Sequence, residues 1–100
     1  MARQYINENY SRAISLEEVA EAIGFSPAYL STLFKKEIGI NFSDYLTSCR
    51  MDAAKKLLKE ESLSINEIAG KVGYSDSKYF SKIFNKVVGL KPSEYRKLYR

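Results

Sequence analysis

A register of about fifty residues occurs twice in this chain, and it constrains the fold more than any other feature. The segment Ser15 to Ser26, SLEEVAEAIGFS, returns as Ser64 to Ser75, SINEIAGKVGYS, at an offset of 49. One extra residue near Asp76 and Ser77 raises the offset to 50, after which Tyr29, Ser31, Phe34, Lys36, Gly39, Ser43 and Tyr45 match Tyr79, Ser81, Phe84, Lys86, Gly89, Ser93 and Tyr95. The similarity runs along the whole unit, so the chain carries two copies of one supersecondary element.

Each copy opens on Ser-x-x-Glu, Ser15 with Glu18 and Ser64 with Glu67. In that spacing a capping hydroxyl and a carboxylate satisfy the unpaired amides of a first helical turn. Leu16, Val19, Ala20 and Ile23, like Ile65, Ile68, Ala69 and Val72, then recur at helical spacing up to a glycine, Gly24 or Gly73. A new start follows within a few residues, Ser26-Pro27 or Ser75-Asp76. The second helix is expected to bury Leu30, Leu33, Phe34 and Ile38 in copy one, and Phe80, Ile83, Phe84 and Val87 in copy two. Helix, short glycine-containing turn, crossing helix is the helix-turn-helix pattern.

Around the repeats, Arg3 to Tyr10 reads as a short opening helix with Ile6 and Tyr10 inward. Phe42 to Lys59 reads as a joining helix capped by Asn41, with Tyr45, Cys49, Ala53 and Leu57 as an i, i+4 stripe and Leu46 and Leu58 beside it. The polar stretch Lys59 to Leu63 is linker-like, and Pro92 opens a closing helix. The expectation is an all-α chain of seven helices: a first helix-turn-helix subdomain over residues 1–40, a linking helix over 41–60, and a second subdomain over 61–100.

Composition narrows the function. No apolar run approaches a membrane span and no signal peptide precedes the first helix, which points to a soluble, cytoplasmic chain. There is no histidine, and Cys49 is the single cysteine, placed on the apolar stripe of the joining helix where a buried small residue fits. That leaves no donor set for a transition metal and no imidazole for acid–base work, so no cofactor is expected and an enzyme is disfavoured. The net charge of +4 is unevenly spread. Residues 1–50 hold five Lys+Arg against six Asp+Glu, whereas residues 51–100 hold eleven against six. The acids of copy one cluster on its first helix at Glu17, Glu18 and Glu21, and the second helices carry Lys35 and Lys36, or Lys78, Lys82 and Lys86. Cations gathered on one helix suit a helix that approaches phosphates.

On a helical wheel the face opposite Leu30 and Phe34 is Ala28, Thr32 and Lys35, flanked by Ser31 and Lys36. The equivalent face of copy two is Lys78, Lys82 and Asn85, flanked by Ser81 and Lys86. Small polar and basic residues match a major groove, where Lys donates to guanine, hydroxyls donate or accept, and an Ala or Thr methyl meets a thymine methyl. Helix starts at Ser15, Ser26, Ser64 and Ser75 are candidate phosphate anchors, along with Lys35, Lys36, Asn85 and Lys86. The plainer alternative is two solvated helix faces, against which stand two tandem copies with acid-poor second helices. Most aromatics fall at core spacing and read as packing. Gly70-Lys-Val-Gly73 has the G-x-x-G form of an RNA clamp, but it lies within a helix and lacks the flanking strands that clamp needs.

Along essentially its whole length the chain resembles the DNA-binding domain of the AraC/XylS family of bacterial transcription regulators. The resemblance is carried by Ser15 to Ala20, Gly24 to Ser31, Leu33 to Gly39, Arg50 to Leu58, Ile68-Ala69, Val72 to Asp76, and Tyr79 to Arg96. It implies two homeodomain-like helix-turn-helix subdomains joined by a long central helix, each placing a recognition helix in one of two consecutive major grooves of double-stranded DNA. The family's groove-facing positions fall on Ala28, Ser31 and Thr32, and on Ser77, Lys78, Ser81 and Lys82. Many relatives have arginine where Thr32 and Lys82 stand, so the first unit lacks the bidentate guanine contact those relatives make. A joining helix of roughly 18 residues spans about 27 Å at ~1.5 Å per residue, against about 34 Å for a DNA turn, which fits an asymmetric promoter site read by a monomer.

The family usually adds a sensing or dimerising domain. This chain is therefore expected to be the output part of a longer regulator, one with a ligand sensor or a phosphorylation-controlled receiver. The rival is a stand-alone activator. Activation and contact with RNA polymerase are the family habit. An alternative of another class stays open: a helical protein-interaction module that contacts the transcription machinery without reading DNA.

Overall fold

A computed structural model describes residues 2–60 and 62–99. Among these residues there are seven helices and no strand: α1 (Ala2–Asn9), α2 (Leu16–Ile23), α3 (Pro27–Glu37), α4 (Phe42–Glu60), α5 (Ile65–Lys71), α6 (Ser77–Val88) and α7 (Pro92–Tyr99). They form two compact units, Met1–Cys49 and Arg50–Arg100, with the division falling inside α4. Among the described residues no helix is long and apolar enough to cross a membrane.

In the first unit, Ser15 accepts the Glu18 amide proton at 3.1 Å and so starts α2. Gly24, at φ 82°, stops it, and the Phe25 amide turns back to the Ala20 carbonyl at 2.8 Å. Ser26 and Pro27 then restart the chain as α3. The crossing buries Val19 and Ala20 of α2 against Leu30 and Phe34 of α3, with Ile6 of α1 completing the cluster. Tyr45, Leu46 and Cys49 from the first half of α4 pack on the same cluster, and Phe34 meets Phe42 and Tyr45 edge-on. Cys49 is only half-buried, and its Sγ donates to Asn7 Oδ1 at 3.4 Å.

The Ser-x-x-Glu pattern does different work in the two copies. In α5 both halves of the box close: Ser64 accepts from the Glu67 amide at 3.1 Å, and the Ser64 amide donates to Glu67 Oε1 at 3.0 Å. In α2 the carboxylate of Glu18 turns away from Ser15. It accepts Tyr5 Oη at 2.6 Å and is forked by the Arg12 guanidinium, which fastens α1 and the following turn to α2. Those two partners, Arg12 first, hold the Glu18 carboxyl below its ordinary range, and Glu18 in turn pushes the Tyr5 hydroxyl up.

The second unit repeats the plan around Ile68, Ala69 and Val72 of α5, Phe80 and Phe84 of α6, and Tyr95 of α7. Its rings form a run, Tyr74 to Phe80 to Phe84 to Tyr95 to Tyr99, with successive centroids 5.7, 5.8, 5.5 and 4.6 Å apart. Arg96 Nε donates to the Leu58 carbonyl at 3.3 Å, and Lys59 lies over the Tyr95 and Tyr99 rings.

Three expectations are corrected. Val87 is 52% exposed, and Val88 is the half-buried residue. The inner stripe of α6 continues by four from Phe84, as it does from Phe34 to Ile38 in α3. The joining-helix stripe fails beyond Cys49: Leu58 is buried as expected beside it, but burial otherwise passes to Met51 and Ala54, and Ala53 and Leu57 are only half-buried. A strict i, i+4 line drifts by about 40° per step on a helix of 3.6 residues per turn, so over the three steps from Tyr45 to Leu57 it leaves the buried face. Finally, Lys59 and Glu60 belong to α4, which shortens the linker to Ser62 and Leu63. Glu61, its remaining residue, lies outside the described residues.

Gly73 has φ 110°, and a Cβ there would come within 2.9 Å of Arg50 Nε. Gly73→Ala is expected to cost about 1–3 kcal/mol in urea unfolding through that backbone strain. Gly70→Ala, in an open position of α5, should gain about 0.5–1 kcal/mol. Equal stability of the two variants would show that the turn tolerates a side chain. The Glu18 clasp predicts a pH effect. Because its folded pKa is depressed, its stabilisation is present above the unfolded pKa and is lost as pH falls through the folded one. Glu18→Gln should therefore lose less of its urea midpoint than the parent between about pH 7 and about pH 3, a window that spans the ordinary glutamate range.

Candidate nucleic-acid interface

Both second helices are seated by what they bury and leave a polar face outside. On α3, Leu30 and Phe34 are inward, whereas Ala28, Ser31, Thr32, Lys35 and Lys36 are exposed. On α6, Phe80 and Phe84 are inward, whereas Lys78, Lys82, Asn85 and Lys86 are exposed and Ser77 and Ser81 are half-buried. The expected face residues of each unit therefore share one helix surface, and none of them is drawn into a core.

The helix starts are less uniform. Ser26 caps α3 by accepting the Tyr29 amide at 3.2 Å. In the second unit Ser75 is not the cap. Asp76 takes that role, its Oδ1 accepting the Lys78 amide at 2.9 Å, and Ser75 stands one residue outside the helix. The residue by which copy two exceeds copy one thus lies in the turn, ahead of the cap. It also sets a carboxylate at the mouth of α6, where copy one has a neutral hydroxyl. At Ser64 the amide is already engaged by Glu67, so the α5 start offers an anion less than a bare first turn would.

Side chains of the two faces differ in what they have left to give. Thr32 Oγ1 donates to the Ala28 carbonyl of its own helix at 3.1 Å. Lys78 and Lys82 extend from α6 as exposed ammonium groups. Beside them a cleft of about 250 Å³ is lined by Ser81, Lys82 and Asn85 of α6, by Lys91, Pro92 and Ser93 at the start of α7, and by Ile65. Lys91 and Ser93 were absent from the sequence-derived set. The only sign of them was Pro92, which marks a helix start beside the recurring Ser43/Ser93 position. A larger apolar groove of about 490 Å³ lies in the first unit between the start of α1 and α3, with Arg3 and Glu37 as its charged residues.

A family model described as a helix-turn-helix domain matches residues 19–98. The chain belongs to the AraC-type helix-turn-helix family. This AraC-type domain is 45% identical over 97 residues to the HTH-type transcriptional regulator YijO of Escherichia coli strain K12, covering 97% of this chain and 34% of that protein. It is 41% identical over 95 residues to the lactose operon transcription activator of Staphylococcus xylosus, covering 95% of this chain and 34% of that one. Among solved structures it superposes on the C-terminal domain of AraT, a response regulator from Geobacillus stearothermophilus, with a TM-score of 0.93 and 46% identity, covering 97% of this chain and 81% of that one. The AraC-type domain spans about a third of the length of these full-length relatives.

The reassigned cap has a direct check. Asp76→Ala should cost about 1 kcal/mol of unfolding free energy, the usual value of an N-cap, while Ser75→Ala should leave the urea midpoint unchanged. A larger loss at Ser75 would return the cap to that residue.

Proposed function

We propose that this chain is the DNA-binding output domain of a bacterial transcription regulator, acting without catalysis and in the cytoplasm. Its two reading helices, α3 and α6, would each enter a major groove of an asymmetric promoter site. The observation that carries the reading is the pair of exposed polar faces, each opposite a buried aromatic or aliphatic seat, in a family whose members carry the names of transcription regulators. Ala28, Ser31 and Thr32, with Ser77, Lys78, Ser81 and Lys82, would meet base edges. Ser15, Ser26, Lys35, Lys36, Ser64, Ser75, Asn85 and Lys86 would meet phosphates, with Lys91 and Ser93 added from the α7 start.

The full-length regulator would carry a further domain. Likeness to a response regulator's C-terminal domain favours a receiver, and likeness to a sugar-operon activator favours activation through RNA polymerase. The rival reading, a helical module that docks on the transcription machinery without touching DNA, finds less support. The surfaces of α3 and α6 that carry Ala28, Thr32, Lys78 and Lys82 are small, hydroxylic and cationic. The large side chains exposed on these helices, Tyr29, Tyr79 and Val87, stand off that surface, the two tyrosines against Phe25 and Tyr74, which leaves no central apolar anchor of the kind protein interfaces are built on.

Random duplexes selected by the purified domain, then titrated across a salt series, test the proposal. Enrichment should yield two unlike sequence blocks about one helical turn apart. Replacing Lys78 and Lys82 together by Ala should weaken binding and erase preference in one block only. Lys86→Ala should weaken all duplexes alike and lower the salt slope by about one. Failure to retain any duplex at low salt would refute the DNA reading for this chain.

A further inference from the structure

The same register places unlike chemistry at equivalent points of the two faces. Positions 28 and 78 correspond at the offset of 50, as do 32 and 82. In α6 both are lysines, each an ammonium that donates and cannot accept. In α3 the pair is Ala28 and Thr32, both exposed, and Thr32 has spent its one hydroxyl proton on the Ala28 carbonyl at 3.1 Å. What Thr32 retains is an accepting oxygen and a methyl group, with the Ala28 methyl one turn before it.

Major-groove chemistry distinguishes these two offers. Guanine shows only acceptors, O6 and N7, which lysine can serve and the Ala28–Thr32 surface cannot; Ser31 beside it has a single hydroxyl proton, enough for one acceptor and not for both. An A·T pair shows the adenine N6 amino donor and, beyond the thymine O4 acceptor, the thymine methyl; cytosine N4 also donates, so the methyl, which complements Ala28 and the Thr32 methyl, is what distinguishes A·T. Lys35 is the cation nearest that face, but it stands in the last turn of α3, away from the N-terminal turns that enter a groove.

Resting on the DNA reading above, we propose that the first unit selects A·T pairs through methyl contacts by Ala28 and Thr32, while the second selects guanine through Lys78 and Lys82. The operator is then chemically polar: one block carries informative thymines and no informative guanine, and the other carries guanine.

Site selection with the purified domain supplies the duplex, and the block whose preference disappears with Lys82→Ala is assigned to the second unit. Uracil then replaces thymine at the informative positions of the other block. Each replacement should weaken binding by about fourfold, the factor expected for one buried methyl. Uracil in the Lys82 block should have no effect. Thr32→Ser, which keeps the hydroxyl and drops the methyl, should abolish the penalty at one thymine, and Thr32→Val should preserve it. 7-Deazaguanine, which lacks the N7 acceptor, should weaken binding only in the Lys82 block. A first block specified by guanine, or one that accepts uracil without loss, overturns this inference and leaves DNA binding standing. Absence of any bound duplex overturns both.

Discussion

What each second helix can present depends on how firmly its opposite side is held, and in both units an aromatic ring does the holding. Phe34 and Phe84 are buried to within 2% of full exclusion, and each meets further rings, Phe42 and Tyr45 in one case and Phe80 and Tyr95 in the other. Buried rings of this size account for several kcal/mol each, about 3–5 when truncated to alanine. A rotation of α3 or α6 about its own axis would expose them. The outward face is therefore fixed by an inward one that has no contact with any partner.

From that shared seat the two units diverge in charge and in fastening. The first is closed at its entrance by the Tyr5, Arg12 and Glu18 cluster, which consumes a carboxylate that in the second unit completes a capping box. Capping of the reading helix shifts as well, from a neutral serine to an aspartate. Asp76 places negative charge beside Lys78 and helps to keep its helix start in order. The second unit is thus the more basic, with twelve Lys+Arg against four at an equal six Asp+Glu, and the cap and first turns of α6 carry both signs where those of α3 carry no charge.

Repeat, caps and glycine stops were legible because each is local: a hydroxyl three residues from a carboxylate, or a glycine at the end of an apolar stripe, acts over one helical turn. The candidate face was legible for the same reason, as the reverse of that stripe. Misreadings arose where a second segment decides. Glu18 has two competing partners, and only the approach of α1 brings Tyr5 and Arg12 close enough to win it. Ser75 and Asp76 are both good caps, and the length of the turn selects between them. The inner side of α4 depends on which unit each half of the helix packs with, which no single period can describe. The bond from Thr32 to Ala28 is local in sequence, but serine and threonine hydroxyls take several alternatives on a helix, and only the side-chain rotamer reveals the choice.

Within α4 two adjacent residues serve different units. Cys49 joins the cluster of the first and reaches Asn7, while Arg50 lies over the Tyr74 ring at 5.0 Å and fills the space that Gly73 leaves open in the turn of the second. The boundary between the units is one peptide bond inside a continuous helix. An ordinary linker absorbs insertions, but a residue added just after Arg50 would turn that side chain through about 100° relative to the rest of its own unit and take it off the Tyr74 ring. Such a joint can drift through substitution but not through length. A lineage carrying it can change the side chains of the two outward faces one at a time, while the length of α4 is inherited unaltered.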